Sequence, residues 1–220
     1  LLSRAQRLCR PAFWYLAVWI VALIAVQLTM GAESAQALGR ECVALLWFLG
    51  VYLVALAFVP ALTRLSSGVA TVAVVISLLV ASAAMDGVRF ALDNAEAGTA
   101  NLIIVWVIPV VIGVAYARKL IGMRAAVIAA LAAFVAQVIV AVYGPYDVSL
   151  VVTGAERVSN VSPPTLLLAL HCTWMSCVFV VAAGAIRRWA ARPRVWLAVS
   201  VGNGGAMTLY LWHIPAIALA

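Results

Sequence analysis

The chain has 220 residues, of which 67% are hydrophobic and 10% charged, with a formal net charge of +7. A soluble domain carries roughly 45–50% apolar and about 25% charged residues, so this much apolar side chain requires lipid as part of its solvent. Soluble enzymes, nucleic-acid binders and disordered tails are thereby excluded, and residues 1–220 read as one membrane domain.

The chain starts on Leu1 rather than Met and closes on the apolar run Ile214-Pro-Ala-Ile-Ala-Leu-Ala220. We therefore expect sequence to be missing at the front and at the back. No signal-peptide pattern is visible.

A membrane-crossing helix needs about 20 apolar residues, and seven stretches meet that need. In chain order, Arg4-Ala-Gln-Arg7-Leu-Cys-Arg10 leads into a first span over 12–30. A connection with Glu33, Arg40 and Glu41 leads to a second span over 42–62, and Arg64 precedes a third over 68–85. Asp86, Arg89, Asp93 and Glu96 separate this from a fourth over 100–117; Arg118, Lys119 and Arg124 precede a fifth over 125–143. A long connection over 144–163, with Asp147, Glu156 and Arg157, leads to a sixth span over 164–186, which Pro163 and Pro164 are expected to start. Arg187, Arg188, Arg192 and Arg194 come before the seventh over 202–220. There Gly202-Asn-Gly-Gly205 predicts a broken or re-entrant start. Strands of a membrane barrel are shorter and alternate in polarity, so the expected fold class is all-α, a polytopic transmembrane helix bundle.

Alternate connections hold eleven of the fourteen bases and no acid; the others hold all seven acids and three bases. The positive-inside rule places the basic set, with the N-terminal segment, in the cytoplasm. The positive charge is then a topology signal and a surface for anionic lipid headgroups, not a nucleic-acid footprint.

No Asp, Glu, Lys or Arg falls inside the seven stretches as bounded above, which counts against an ion-coupled transporter. Two histidines do. His213 is about 16 Å beyond Gly202, near mid-bilayer, with Tyr210 one turn before it and Asn203 and Thr208 nearby. His171 lies about 10 Å in from the outer side, with Trp174 one turn on. Each either glues neighbouring helices together or contributes to catalysis or substrate binding, with His213 the weak catalytic candidate. Two histidines without nearby acids or a Cys set make a poor metal site, so no metal is expected. Cys9, Cys42, Cys172 and Cys177 form no C-x-x-C pair and read as packing residues. Arg4, Arg7 and Arg10 recur every third residue, which on a helix gives one cationic stripe. It serves as a topology anchor or as a phosphate-binding surface, for which guanidinium is well suited.

Five segments carry a resemblance: Arg7-Leu-Cys-Arg10-Pro11, Leu46-Trp-Phe-Leu-Gly-Val-Tyr-Leu53, Asn101-Leu-Ile-Ile-Val-Trp106, Ser159-Asn-Val-Ser-Pro-Pro-Thr165 and Met207-Thr-Leu-Tyr-Leu-Trp-His213. In this order they resemble the later part of an integral-membrane acyltransferase of family 3, of the actinobacterial type. The resemblance implies a ten-helix fold of which this chain is about the last seven. It also implies transfer of an acyl group, often acetyl, from cytoplasmic acyl-CoA to a hydroxyl of a glycan, lipid or secondary metabolite at the plasma membrane, with no bound cofactor. Arg7 and Arg10 match the family's R-x-x-R element, and with Arg4 they become the donor-binding candidates. Asn203 and His213 match a polar pattern in its last span; with Asn160, His171 and Tyr210 they are the candidates for the acceptor site.

The family also has an arginine and a histidine with ten residues between them near its first helix. Before His171 and His213 that spacing finds Asn160 and Gly202, so the catalytic histidine is expected upstream of Leu1 and the fragment is expected to be inactive alone. The readings against which this stands are a multi-pass transporter or flippase and a membrane subunit without chemistry.

Overall fold

The computed structural model describes the backbone of residues 2–44, 46–150 and 158–218. In chain order the helices are α1 (Leu2–Met30), α2 (Ala32–Ala44), α3 (Leu46–Ala57), α4 (Val59–Leu62), α5 (Gly68–Ala91), α6 (Asn101–Ala117), α7 (Met123–Tyr143), α8 (Leu166–Ala190) and α9 (Pro193–Ala218). A 3₁₀ turn over Ala95–Gly98 precedes α6, and no strand occurs among the described residues. Among the described residues five helical segments are long and apolar enough to cross a membrane: Arg10–Met30, Gly68–Ala91, Ala95–Ala117, Met123–Tyr143 and Leu166–Ala190. They coincide with five of the seven apolar stretches, and the fold is an all-α polytopic bundle.

The other two stretches behave differently. The expected second span over 42–62 is divided among the end of α2, α3 and α4. Pro60 has no N–H for Leu56 and its ring crowds that carbonyl, which favours the break at Phe58 between α3 and α4, although α1 and α6 run through Pro11 and Pro109. The expected break at Gly202 is absent, because α9 runs unbroken from Pro193 through Gly202-Asn-Gly-Gly205. Each glycine costs a helix only about 1 kcal/mol relative to alanine, too little to interrupt a segment whose flanks are strongly helical.

The chain divides into two compact units. Residues 1–53 and 187–220 form one, in which Gly31, at φ +91°, supplies the left-handed turn between α1 and α2. Its core is Ala12, Tyr15 and Leu211, with Trp19, Leu46, Leu49 and Met207 packed around them.

Residues 54–186 form the other unit. Here α6 is the central helix, with Val105, Ile108 and Val111 completely buried. Of α7, Ala130 joins the buried cluster of Val105, Ile108 and Ile112 with Leu168 and Ala169 of α8; Ala126 and Ala133 on the same face are buried too, while Ile128, Leu131, Val135 and Ile139 face outward.

Both α5 and α6 end in the same way. Asp93 (φ +48°) and Lys119 (φ +59°) take the left-handed position, and the next residues donate to carbonyls five back, Asn94 to Arg89 and Leu120 to Ala115. The Arg118 guanidinium then donates to the carbonyls of Thr63 and Leu65, tying the α4–α5 turn to the α6–α7 turn. Ser67 caps α5, its Oγ accepting from the Ala70 N–H at 3.1 Å.

Gly68 is required beside this cap, since a Cβ there would lie 2.7 Å from the Leu120 carbonyl oxygen. Gly68→Ala is expected to cost about 1–3 kcal/mol through forced backbone movement. Thermal unfolding of the detergent-solubilised protein checks this, and an unchanged midpoint contradicts it.

Candidate functional site

The sequence reading closed the third span at Met85 because charged residues follow. The helix itself continues to Ala91, so Asp86 and Arg89 belong to α5 and are buried there, at 1% and 8% exposure. Ser82, Asp86 and Arg89 fall at i, i+4 and i+7, one polar stripe on an otherwise apolar helix. A helix long and apolar enough to cross a membrane thus carries two ionisable groups near its end, contrary to the expectation from hydropathy.

Around Asp86 the structure gathers donors from three other parts of the chain. Asn101, first residue of α6, donates its Nδ2 to Oδ1 at 2.9 Å. The Tyr146 hydroxyl donates to Oδ2 at 2.8 Å, and the Leu166 backbone N–H, at the start of α8, to the same oxygen at 2.7 Å. The carboxylate therefore acts as a cap supplied from another helix, a negative charge at the positive end of the α8 dipole. Beside it, Arg89 Nη1 donates to the Ser159 carbonyl at 3.4 Å and its guanidinium stands 5.9 Å from the Phe90 ring centre. The Ser82 hydroxyl and Asn101 Oδ1 are buried here without a hydrogen-bond partner among the described residues.

Tyr146 lies outside the spanning segments, and its phenol is pushed upward from the usual range by burial first and by the Asp86 charge second. The folded state holds this proton more tightly than the unfolded chain does. Its stabilising contribution is complete below about pH 10 and is lost as pH rises above that. Tyr146→Phe is expected to remove about 1–3 kcal/mol at neutral pH, and to flatten the alkaline fall in stability. Denaturation followed between neutral and alkaline pH measures both; an unchanged slope contradicts the second.

Asn160 orders the connection above this cluster. Its Nδ2 donates to the Asp147 and Ser149 carbonyls at 2.5 and 2.8 Å, while its Oδ1 accepts from the Thr165 hydroxyl at 2.8 Å. Asp147 in turn accepts from the Val158 N–H at 2.9 Å. Thr165 precedes the first turn of α8 and its carbonyl accepts from Ala169, so the helix begins after Pro163 and Pro164 rather than with them. Both prolines stay in the connection, with a cis peptide between Ser162 and Pro163. Glu156 and Arg157 lie outside the described residues.

His171 sits apart from this cluster, between α7 and α8. Trp174 can only donate, and its Nε1 does so to Gln137 Oε1 at 2.5 Å. That fixes the amide, turning Gln137 Nε2 to donate to His171 Nδ1 at 3.3 Å and leaving the imidazole proton on Nε2. The Trp174 ring meets the histidine edge to face at 5.2 Å.

The remaining candidates lie in the unit built from residues 1–53 and 187–220. The α1 backbone is helical through Arg4, Arg7 and Arg10; Arg10 is exposed, and the side chains of Arg4 and Arg7 lie outside the described residues, as do those of Cys9 and Cys42. On α9, Tyr210 and His213 come together, with ring centres 5.8 Å apart. His213 Nδ1 donates to the Tyr210 carbonyl at 2.5 Å, which leaves Nε2 as the basic nitrogen. Asn203 is exposed two turns below Tyr210 on the same face. Neighbouring Trp212 packs edge to face on Tyr15 at 5.4 Å and stacks on Trp19 at 6.5 Å. Those two lie about 8 and 14 Å beyond Arg10 along α1, which sets the depth of His213 despite the unbroken start of α9.

The sequence reading thus missed Asp86, Arg89, Asn101, Tyr146 and Gln137. For the first two the signal was present, in the helical spacing from Ser82. For Asn101 and Tyr146 it was not, because only the folded chain brings them to Asp86.

No curated protein and no solved structure matches the chain. A family model does: the one described as an acyltransferase domain, of the acyltransferase-3 type, matches residues 2–220. With the helical bundle above, that match over nearly the whole length means that the chain belongs to the membrane acyltransferase family 3.

Proposed function

We propose that the protein is a membrane O-acyltransferase that moves an acyl group, often acetyl, from acyl-CoA to a hydroxyl of a glycan, lipid or secondary metabolite. The observation that carries this reading is the family match over residues 2–220. In the reaction the acceptor oxygen attacks the thioester carbonyl, a C–O bond forms, and the C–S bond breaks. The hydroxyl proton passes to a general base and the coenzyme leaves as its thiol. No resident cofactor or metal enters the scheme, and nucleic acid has no part in it.

Arg4, Arg7 and Arg10 hold the donor phosphates at the cytoplasmic side of the plasma membrane. Their support is the uninterrupted α1 backbone, which carries them at three-residue spacing directly ahead of the apolar segment from Arg10. The base is the family's histidine with ten residues between it and an arginine, a pair that residues 1–220 do not contain. Of the two histidines present, His213 has a basic nitrogen that meets no hydrogen-bond donor among the described residues, whereas Gln137 occupies that of His171. His213 with Tyr210 and Asn203 is therefore the polar face offered to the acceptor. Asn160 and the Asp86 cluster shape the outer connection.

Burial of Asp86 removes one argument against a transporter, since an ionisable group in a span is what ion coupling uses. Its three donors and the adjacent Arg89 make it a fixed strut instead. Labelled acetyl-CoA incubated with membranes holding the full-length protein separates the readings. An acyltransferase leaves label in an acceptor as a base-labile ester. A transporter or an inert subunit leaves none, and that result overturns the proposal.

A further inference from the structure

Within the unit of residues 54–186 an apolar slot of about 670 Å³ runs between α5 and α7. That volume falls in the range of about 300–1,000 Å³ typical of ligand sites. Val72, Ile76 and Leu79 form one wall and Ala125, Ala129 and Ala136 the other. The slot exists because α7 presents methyl groups where α5 presents branched side chains. Its two hydroxyls have their protons engaged, Thr71 with the Ser67 carbonyl at 3.0 Å and Thr173 with the Ala169 carbonyl at 2.7 Å, so neither donates to a ligand. The rest of the lining is almost wholly apolar, which suits a hydrocarbon chain.

The dimensions and the mouth narrow this further. Both walls run for twelve residues, eleven helical steps, from Gly68 to Leu79 and from Ala125 to Ala136. At 1.5 Å per residue each is about 16 Å long, half of the roughly 30 Å hydrocarbon layer. The slot is therefore one leaflet deep. Gly68, Leu120 and Ile121 line one end of it, and the bonds from Arg118 to the Thr63 and Leu65 carbonyls hold the turn that carries Arg64 against the turn that carries Lys119. Arg64, Lys119 and Arg124 are all exposed, and residues 63–68 and 118–124 contain no acid. Val69, Val72 and Ile76, along one edge, are open to the surrounding lipid at 81%, 52% and 54% exposure.

We infer that this slot binds one acyl chain of an anionic phospholipid of the inner leaflet, with the headgroup phosphate on Arg64, Lys119 and Arg124. Charge complementarity at the mouth selects the headgroup, and the lateral opening to lipid selects a bilayer resident over a soluble donor. The site is independent of the acyl-transfer reaction, and its test reads binding rather than turnover.

The full-length protein is purified in detergent, offered phosphatidylglycerol or phosphatidylcholine with matched chains, and examined by native mass spectrometry. One phosphatidylglycerol per chain is expected to be retained, at least about tenfold better than phosphatidylcholine, since each basic residue near a phosphate favours it by roughly a kcal/mol. Removing the three charges together (R64Q, K119Q and R124Q) should abolish that preference. Ala129→Phe, which fills the slot, should abolish retention, while Ile128→Phe on the exposed side of the same helix should leave it unchanged. Should A129F not fold, Ala129→Leu gives a graded loss. Equal retention by the A129 and I128 variants overturns the proposal, as does indifference to headgroup charge. So does displacement of the lipid by an equimolar long-chain acyl-CoA, which would make the slot a donor site.

Discussion

Replacing Arg7 and Arg10 together by alanine is expected to lower kcat/KM for acyl-CoA by about 10²–10⁴-fold, with the loss mostly in KM. A hydrogen bond to a charged group contributes about 1.5–3 kcal/mol, and two lost contacts to donor phosphates give roughly that factor. Both residues stand on one unbroken helix ahead of its apolar segment, and Arg10 is exposed, so the substitution leaves the fold intact. Lysine at both positions should recover part of the loss, because it restores the charge without the paired N–H groups. Steady-state rates against acyl-CoA concentration, with the unfolding midpoint as control, check this. Unchanged rates would make the stripe a topology anchor only.

Asp86→Ala carries the largest expected effect on stability, about 3–5 kcal/mol. It removes the acceptor for Asn101, for Tyr146 and for the first backbone N–H of α8, all in buried surroundings. Each orphaned donor costs about 1–3 kcal/mol, with partial relief by relaxation. Asp86→Asn should cost less, about 1–2 kcal/mol. One amide oxygen can still accept from Tyr146 and Leu166, and Asn101 can rotate to offer its unpaired Oδ1 to the new amide nitrogen. Thermal unfolding ranks the two variants, and hydrogen exchange should show the start of α8 opening first in D86A. Equal midpoints for D86A and the unaltered protein would contradict the role of the carboxylate as the joint between α5, α6 and α8.

Hydropathy makes the five long helices legible because each needs an uninterrupted apolar surface against lipid. It marks their ends poorly. Apolar character on α5 stops at Met85, but the backbone stops only where Asp93 turns left-handed and Asn94 bonds back to Arg89. The two residues missed for that reason are buried, and Asp86 accepts from three donors. Pro60 announces its break in any reading that weighs proline against hydropathy, whereas the glycines at 202–205 announce one that does not occur. Of the candidate residues, Tyr210 and His213 were paired correctly by spacing along one helix. Asn160 was found through its motif, but its bonds to Asp147, Ser149 and Thr165 depend on how a long connection folds back. His171 was placed beside Trp174 by spacing, yet Gln137, which fixes both, comes from another helix.

The most direct measurement places the full-length protein in sealed vesicles of known orientation and supplies labelled acetyl-CoA, which does not cross the bilayer, to one face only. With donor on the face that bears Arg4, Arg7 and Arg10, label is expected to accumulate in a base-labile ester on a hydroxyl acceptor, and the R7A/R10A variant should show almost none. Ester formed only when donor meets the opposite face, or no ester from either face, would contradict acyl transfer from a cytoplasmic donor.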